Sequence, residues 1–213
     1  SWLKEFGVEN VDLEQVEIIP LAHETYWVRD FAPVPVRFVD HLFDRYFLSS
    51  FRFREANLIE NSASYQLGLF LNLNLITTPI ITDGGNFISN GKDCIVTDSF
   101  LIDGHETPTL DLIKKTYQHY LGCQELHVLK NAPHDHIDMF AKFVNQKTIL
   151  INEIAADISL PKDLTERDRS ATKAYKEGLD EIAKELSPFF NIRRIPLPFI
   201  IDGIFRSYTN SVL

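Results

Sequence analysis

Three times along this chain the same order of elements recurs, and that recurrence restricts the fold more than any other feature. Val34 to Phe38 and Leu42 to Phe47 read as strands around Val39-Asp40-His41. Glu55 to Leu71 follows as a helix with Ile59, Ala63, Leu67 and Phe70 on one face, then Leu75 to Ile81 as a strand. In the second cycle, Asn86 to Ser89 and Cys94 to Thr97 flank Asn90-Gly91, the dipeptide that tight hairpin turns favour because both positions tolerate positive φ. Thr109 to Leu121 reads as a helix with Leu112, Thr116 and Tyr120 on a stripe and Gly122 as its stop, and Glu125 to Leu129 as a strand. The third cycle runs from Phe140 to Val144 and Thr148 to Asn152, around Asn145-Gln146-Lys147, into a helix from about Arg167 to Leu186 and a strand from Ile192 to Ile195. Trp2 to Phe6 and Val16 to Pro20, a helix-like piece and a short strand, precede the first cycle.

A strand-strand-helix-strand unit of about 50–70 residues is longer than a solenoid repeat. Arranged radially, such units bring equivalent strand ends to one axis. Each unit here opens on a polar motif: Trp27-Val28-Arg29-Asp30, Asp83-Gly84-Gly85-Asn86, His136-Ile137-Asp138, and a fourth, Tyr208-Thr209-Asn210-Ser211, where the sequence stops at Leu213. The four motifs would therefore meet. No linker or low-complexity stretch divides the chain, so residues 1–213 read as one α/β domain, incomplete at both ends.

The densest chemistry lies at His134-Asp135-His136-Ile137-Asp138, two imidazoles and two carboxylates in five residues. If this stretch is a strand, His136 and Asp138 share a face, because side chains alternate with period two. A histidine beside a carboxylate suits general acid/base work or cation binding, and equally metal ligation. Asp30 could pair with Arg29 or cap the turn before Pro33, and Trp27 could stack on a flat cation or pack in the core. The paired glycines permit close approach or positive φ. The Lys and Glu run between Lys173 and Lys184 reads as a solvated helix face.

Composition narrows the partners. A net charge of −9 disfavours nucleic acid and anionic membranes, which call for basic patches. No stretch has the length of a membrane span. Cys94 and Cys123, two cysteines, do not make a disulfide framework. The expected location is cytoplasmic, with secretion left open because Ser1 need not be the natural start. A homo-oligomer is compatible with all of this.

The order W-x-R-D, G-G-N, H-x-D, Y-T-N-S, from about Trp27 to Leu213, resembles the guanidine-modifying enzymes of the pentein fold, and among them the agmatine deiminases and bacterial peptidylarginine deiminases. The resemblance implies a pentein-type α/β propeller of five units, a small guanidino compound or an arginine side chain as substrate, and no cofactor. It implies that Asp30 and Asp138 bind the guanidinium edges, and that His136 protonates the departing amine and then activates water. Trp27, Asn86 and Asn210 join the substrate-binding set, Asn86 more as a support of the strand ring. Asp83 stands where agmatine deiminases have Glu, and His134 and Asp135 are additional residues that the resemblance assigns to the entrance loop. The family's nucleophilic cysteine lies beyond the Y-T-N-S motif. Neither Cys94 nor Cys123 stands there, so the chain is expected to be a fragment that does not complete deimination.

Two readings compete. His134-x-His136-x-Asp138 looks like part of a dinuclear zinc motif, but the following position holds Met139 instead of His. A silent pentein serving as a binding domain would lack the His and carboxylate set that this chain keeps.

Overall fold

Asn90 and Gly91 close the turn that their sequence calls for. Asn90 Oδ1 accepts the amides of Lys92 and Asp93 at 2.9 and 2.7 Å, and Gly91 takes a φ of 91°. Comparable local rules build the rest of the computed structural model, which describes residues 17–39, 44–53, 58–155, 161, 164–204, 207 and 209–210.

A short helix α1 (Val28–Phe31) leads into β1 (Val34–Val39), β2 (Asp44–Arg52), α2 (Leu58–Leu71) and β3 (Asn74–Ile81). After a 3₁₀ turn at Gly84–Asn86 come β4 (Ile88–Ser89), β5 (Asp93–Thr97), β6 (Leu101–Ile102), α3 (Leu110–Leu121) and β7 (Glu125–Leu129). A second 3₁₀ turn, Ile137–Met139, precedes β8 (Ala141–Phe143), β9 (Thr148–Glu153), α4 (Glu166–Leu186) and β10 (Asn191–Pro196).

The three cycles share one pairing scheme. In each, the first two strands are antiparallel (β1/β2, β4/β5, β8/β9) and the third lies parallel to the second (β2/β3, β5/β7, β9/β10). A parallel partner needs a crossover, and the helix of each cycle supplies it. The result is three separate sheets with no closed barrel among the described residues. The short strand β6, unread in the sequence, pairs antiparallel with β3 and so attaches the second unit to the first.

The core fills the space between units. Ile95, Leu129, Ile149 and Ile151 pack with Tyr175, Leu179, Ile182 and Leu186, the buried stripe of α4. A second cluster joins Phe51 and Ile80 of the first unit to Phe87, Val96 and Tyr117 of the second. Within it Cys94 and Cys123 form a disulfide with Cα atoms 5.6 Å apart. A pair that is too few for a framework thus still closes one bridge, because β5 and the residue after the α3 stop lie side by side.

Several boundaries and faces differ from the sequence reading. Residues 17–20 form no strand, and the Trp2 to Phe6 helix falls outside the described residues. Strand β2 runs on to Arg52. On α3 the buried residues are Thr116, Tyr117 and Leu121, a stripe that leaves out Leu112 and Tyr120. On α2 the buried residues are Glu60, Ala63, Ser64 and Gly68, while Ile59 and Phe70 face outward. An apolar stripe was expected there, and a small polar one is found. No helix among the described residues is long and apolar enough to cross a membrane.

Candidate functional site

Three connections and the last described residues converge on a cavity of about 660 Å³, lined among others by Trp27, Asp30, Asp83, His136, Asp138 and Asn210. They come from successive unit openings: Trp27 and Asp30 from the start and body of α1, Asp83 after β3, His136 and Asp138 from the 3₁₀ turn before β8. The strand expected at His136 is absent. His136 sits in extended backbone as the cap of that turn, and Asp138 lies inside it. The two side chains share the cavity through a tight bend instead of through strand alternation.

His136 is held between two carboxylates. Its Nε2 lies 3.1 Å from Asp83 Oδ2, and its Nδ1 3.7 Å from Asp30 Oδ1. The Asp83 hydrogen bond raises the His136 pKa, burial opposes it, and the charge of Asp30 adds to the rise. One hydrogen-bonded carboxylate and a second one nearby stabilise the charged ring relative to a free histidine. Burial raises Asp30 as well, against the pull of His136 and the Gly85 amide, which donates to Asp30 Oδ1 at 3.1 Å. Asp138 goes further: burial pushes it up to about 6, despite the lowering charges of Arg29 and His136. Its carboxyl is nearly buried, and its Oδ1 makes no hydrogen bond among the described residues.

The glycine pair earns its place by proximity. A Cβ on Gly85 would lie 2.7 Å from His136 Nδ1 and 2.8 Å from Asp30 Oδ1; one on Gly84 would meet the Arg29 carbonyl at 2.1 Å. Neither glycine has positive φ, so space decides. Gly178, in the middle of α4, does the same for the histidine loop: a Cβ there would meet Pro133 Cβ at 2.9 Å.

The remaining candidates divide. Trp27 is 54% exposed and tilts against Tyr26 with ring centres 4.5 Å apart, at the cavity mouth and not in the core. Asn210 is exposed on the rim, its Nδ2 3.5 Å from Met139 Sδ. His134 lines the cavity; its Nδ1 accepts the His136 amide at 2.9 Å, and burial lowers its pKa. Asn86 does not reach the cavity as a substrate contact would. It is fully buried, its Oδ1 accepting from the Thr97 amide and its Nδ2 donating to Ser99 O. The Thr97 hydroxyl then stands between Asn86 Oδ1 at 2.8 Å and the Asp135 carbonyl at 2.9 Å, so Asn86 braces the histidine loop from behind.

Two contributors had gone unassigned. Asp83, with a shorter arm than the Glu of agmatine deiminases, was not among the expected site residues, and it holds His136. Thr209, buried next to Asn210, donates its hydroxyl to the Asp138 carbonyl at 2.9 Å. The usable signals were the position of Asp83 before the glycines and that of Thr209 inside Tyr208-Thr209-Asn210-Ser211. Among the described residues no group of three or more His, Cys, Asp or Glu side chains is arranged to hold a metal ion. Arg29 donates to Phe87 O at 2.7 Å and also borders a second hollow of about 480 Å³, whose lining has neither carboxylate nor histidine.

A family model described as Porphyromonas-type peptidyl-arginine deiminase matches residues 3–213. Among solved structures, the C. jejuni agmatine deiminase superposes with a TM-score of 0.69 at 19% identity, covering 98% of this chain and 60% of that one. A cysteine-to-serine form of the same enzyme with substrate bound gives 0.66 at 18% identity, with 98% and 62% covered. A Porphyromonas gingivalis protein assigned as an arginine deiminase gives 0.68 at 20% identity, with 99% and 66% covered. The chain thus spans between 60% and 66% of the length of these structures. No curated protein matches it.

Proposed function

Because this chain belongs to the Porphyromonas-type peptidyl-arginine deiminase family, we propose that its cavity binds the guanidinium of agmatine or of an arginine side chain and carries the proton transfers of its hydrolysis. The observation that supports this best is the Asp138 carboxyl, nearly buried on the cavity wall with Oδ1 lacking any hydrogen bond among the described residues. A planar cation with N–H donors on its edges is the partner that such an acceptor lacks. Asp30 takes the opposite edge, and Trp27 at the mouth covers the substrate's stem.

His136 begins as imidazolium between Asp30 and Asp83 and gives its proton to the departing ammonia. As a neutral base it then takes a proton from the water that replaces the amine. The net change is a guanidinium and water giving a ureido group and ammonium. The covalent step needs a thiolate about 3–3.5 Å from the guanidinium carbon. Cys94 and Cys123 are joined to each other and buried, so neither serves. These residues therefore bind and protonate the substrate, and the covalent step draws on neither cysteine.

The same reading extends to architecture and setting. The three units are three blades of a five-unit α/β propeller whose polar openings meet on its axis, and residues 1–213 form a single domain. The buried disulfide favours an oxidising compartment over the cytoplasm expected from the sequence.

Calorimetric titration with agmatine and with an arginine peptide tests the binding half, and ammonia release tests the other. Asp30→Asn and Asp138→Asn should each weaken binding by orders of magnitude, since a charge-assisted contact is worth about 1.5–3 kcal/mol and its loss leaves a mismatched donor. Unchanged binding or turnover in both variants rejects the assignment.

A further inference from the structure

Helix α2 is built inside out: it turns Leu58, Tyr65 and Leu69 to solvent and buries Glu60, Ala63, Ser64 and Gly68. Glu60 is fully buried, an unusual place for a carboxylate unless backbone donors meet it. They do. Glu60 Oε1 accepts the amide of Thr25 at 2.6 Å and that of Glu24 at 3.0 Å. One helical turn on, on the same face, the Ser64 hydroxyl donates to the Phe31 carbonyl at 2.9 Å and receives the Ser50 hydroxyl at 3.1 Å. The two residues grip one short segment at both ends, residues 24–25 and residue 31. Between those grips lie Trp27 at the cavity mouth and Asp30 against His136.

We propose that Glu60 and Ser64 are positioning residues for the guanidinium site: α2 buries its polar face so that this pair can fix the segment carrying Trp27 and Asp30. The assignment rests on the reading of Asp30 as a guanidinium ligand. Neither residue lines the cavity, and both act through the backbone they hold. This accounts for the polar stripe on a helix whose apolar side chains are spent on solvent. It also explains how a helix of only four residues, α1, with no side-chain cap, keeps a carboxylate in place.

The Gly85 amide donates to Asp30 Oδ1 and so reports the place of Asp30 without any ligand. In the 213-residue chain, Glu60→Ala should speed hydrogen exchange at Gly85 by at least about tenfold, while the Ile151 amide in β9 keeps its protection. Agmatine affinity should fall by about tenfold or more in the same variant. Glu60→Gln keeps an oxygen that can accept both amides, and should restore most of both readouts. Ser64→Ala removes a single hydroxyl and gives a smaller change in the same direction; it carries the test if Glu60→Ala does not fold. Wild-type exchange at Gly85 in a folded Glu60→Ala or Ser64→Ala variant overturns the proposal, as does failure of Glu60→Gln to differ from Glu60→Ala. Loss of Gly85 protection alongside agmatine binding that Asp30→Asn leaves unchanged would keep the positioning role and reject the guanidinium reading instead.

Discussion

At the scale of single residues, the site keeps its charge state by crowding. Asp138 is the extreme case. Its carboxyl titrates at about 6 in the fold against 3.8 for a free aspartate, because burial disfavours the charge. An acid whose folded pKa is raised loses stability as pH climbs from the free value to the folded one. At roughly 1.4 kcal/mol per pH unit, ionised Asp138 costs the fold up to about 3 kcal/mol. Asp138→Asn should therefore resist urea better than wild type at pH 7, with the advantage gone near pH 4. A lower unfolding free energy for the variant at pH 7 would contradict this. Ligand binding has the opposite preference. A guanidinium needs the carboxylate, so agmatine affinity should fall steadily as pH drops below about 6, and a flat calorimetric profile between pH 7 and 5 would argue against Asp138 as ligand. His136 responds in the other direction: its raised pKa adds stability that is complete below 6.5 and fades as pH rises through the folded value. The Trp27, Asp30, His136 and Asp138 positions were legible in the sequence because each stands in a motif of distinctive residue types. Asn86 was expected in the substrate-binding set and, more, as a support of the strand ring, and its buried hydrogen bonds fit the support. Its motif announces importance, but only the fold tells whether an amide faces a cavity or a neighbouring strand.

At the scale of elements, the sequence was most readable where a local rule is decisive. Gly122 ends α3 with a φ of 72°, and Thr109 caps its start by accepting the Leu112 amide. The α4 limits, Glu166–Leu186, differ from the reading by one residue at the start. Legibility failed where packing overrules composition. The Leu and Phe residues of α2 gave no warning that Glu60 and Ser64 would face inward, because the partner of that face is a backbone segment some 35 residues away in sequence. The turn at Ile137–Met139 failed similarly: an apolar and polar alternation mimics a strand over so few residues. Gly178 offers a test at this scale. Alanine there should gain about 1 kcal/mol in helix propensity, but its Cβ would press on Pro133 at 2.9 Å. The net change in melting should be a loss, with weaker agmatine binding as the His134 to His136 loop is displaced. A stabilised variant with unaltered affinity would show that the loop yields without consequence.

At the scale of the whole molecule, three repeats of one pairing scheme explain why chemistry spread over more than a hundred residues gathers in one cavity. The cores lie between units, so each unit's opening loop is set by its neighbours: Thr97 of the second unit touches the Asp135 carbonyl, and Thr209 holds the Asp138 carbonyl. The disulfide secures the middle unit. Its two cysteines are 29 residues apart, and closing a loop of that size stabilises by about 3–4 kcal/mol in the chain-entropy account. Reduction, or Cys94→Ser with Cys123→Ser, should lower the unfolding free energy by a few kcal/mol, measured in urea with and without reductant. An unchanged midpoint would show that the bridge adds nothing. The same bridge spans the exposed stretch from Asp103 to Glu106. A protease that nicks this stretch severs the polypeptide between Asp83 and His136, yet leaves the halves tethered through sulfur. Such a clipped molecule would migrate as one band without thiol and as two with it, and would keep its carboxylates and imidazole assembled around the cavity.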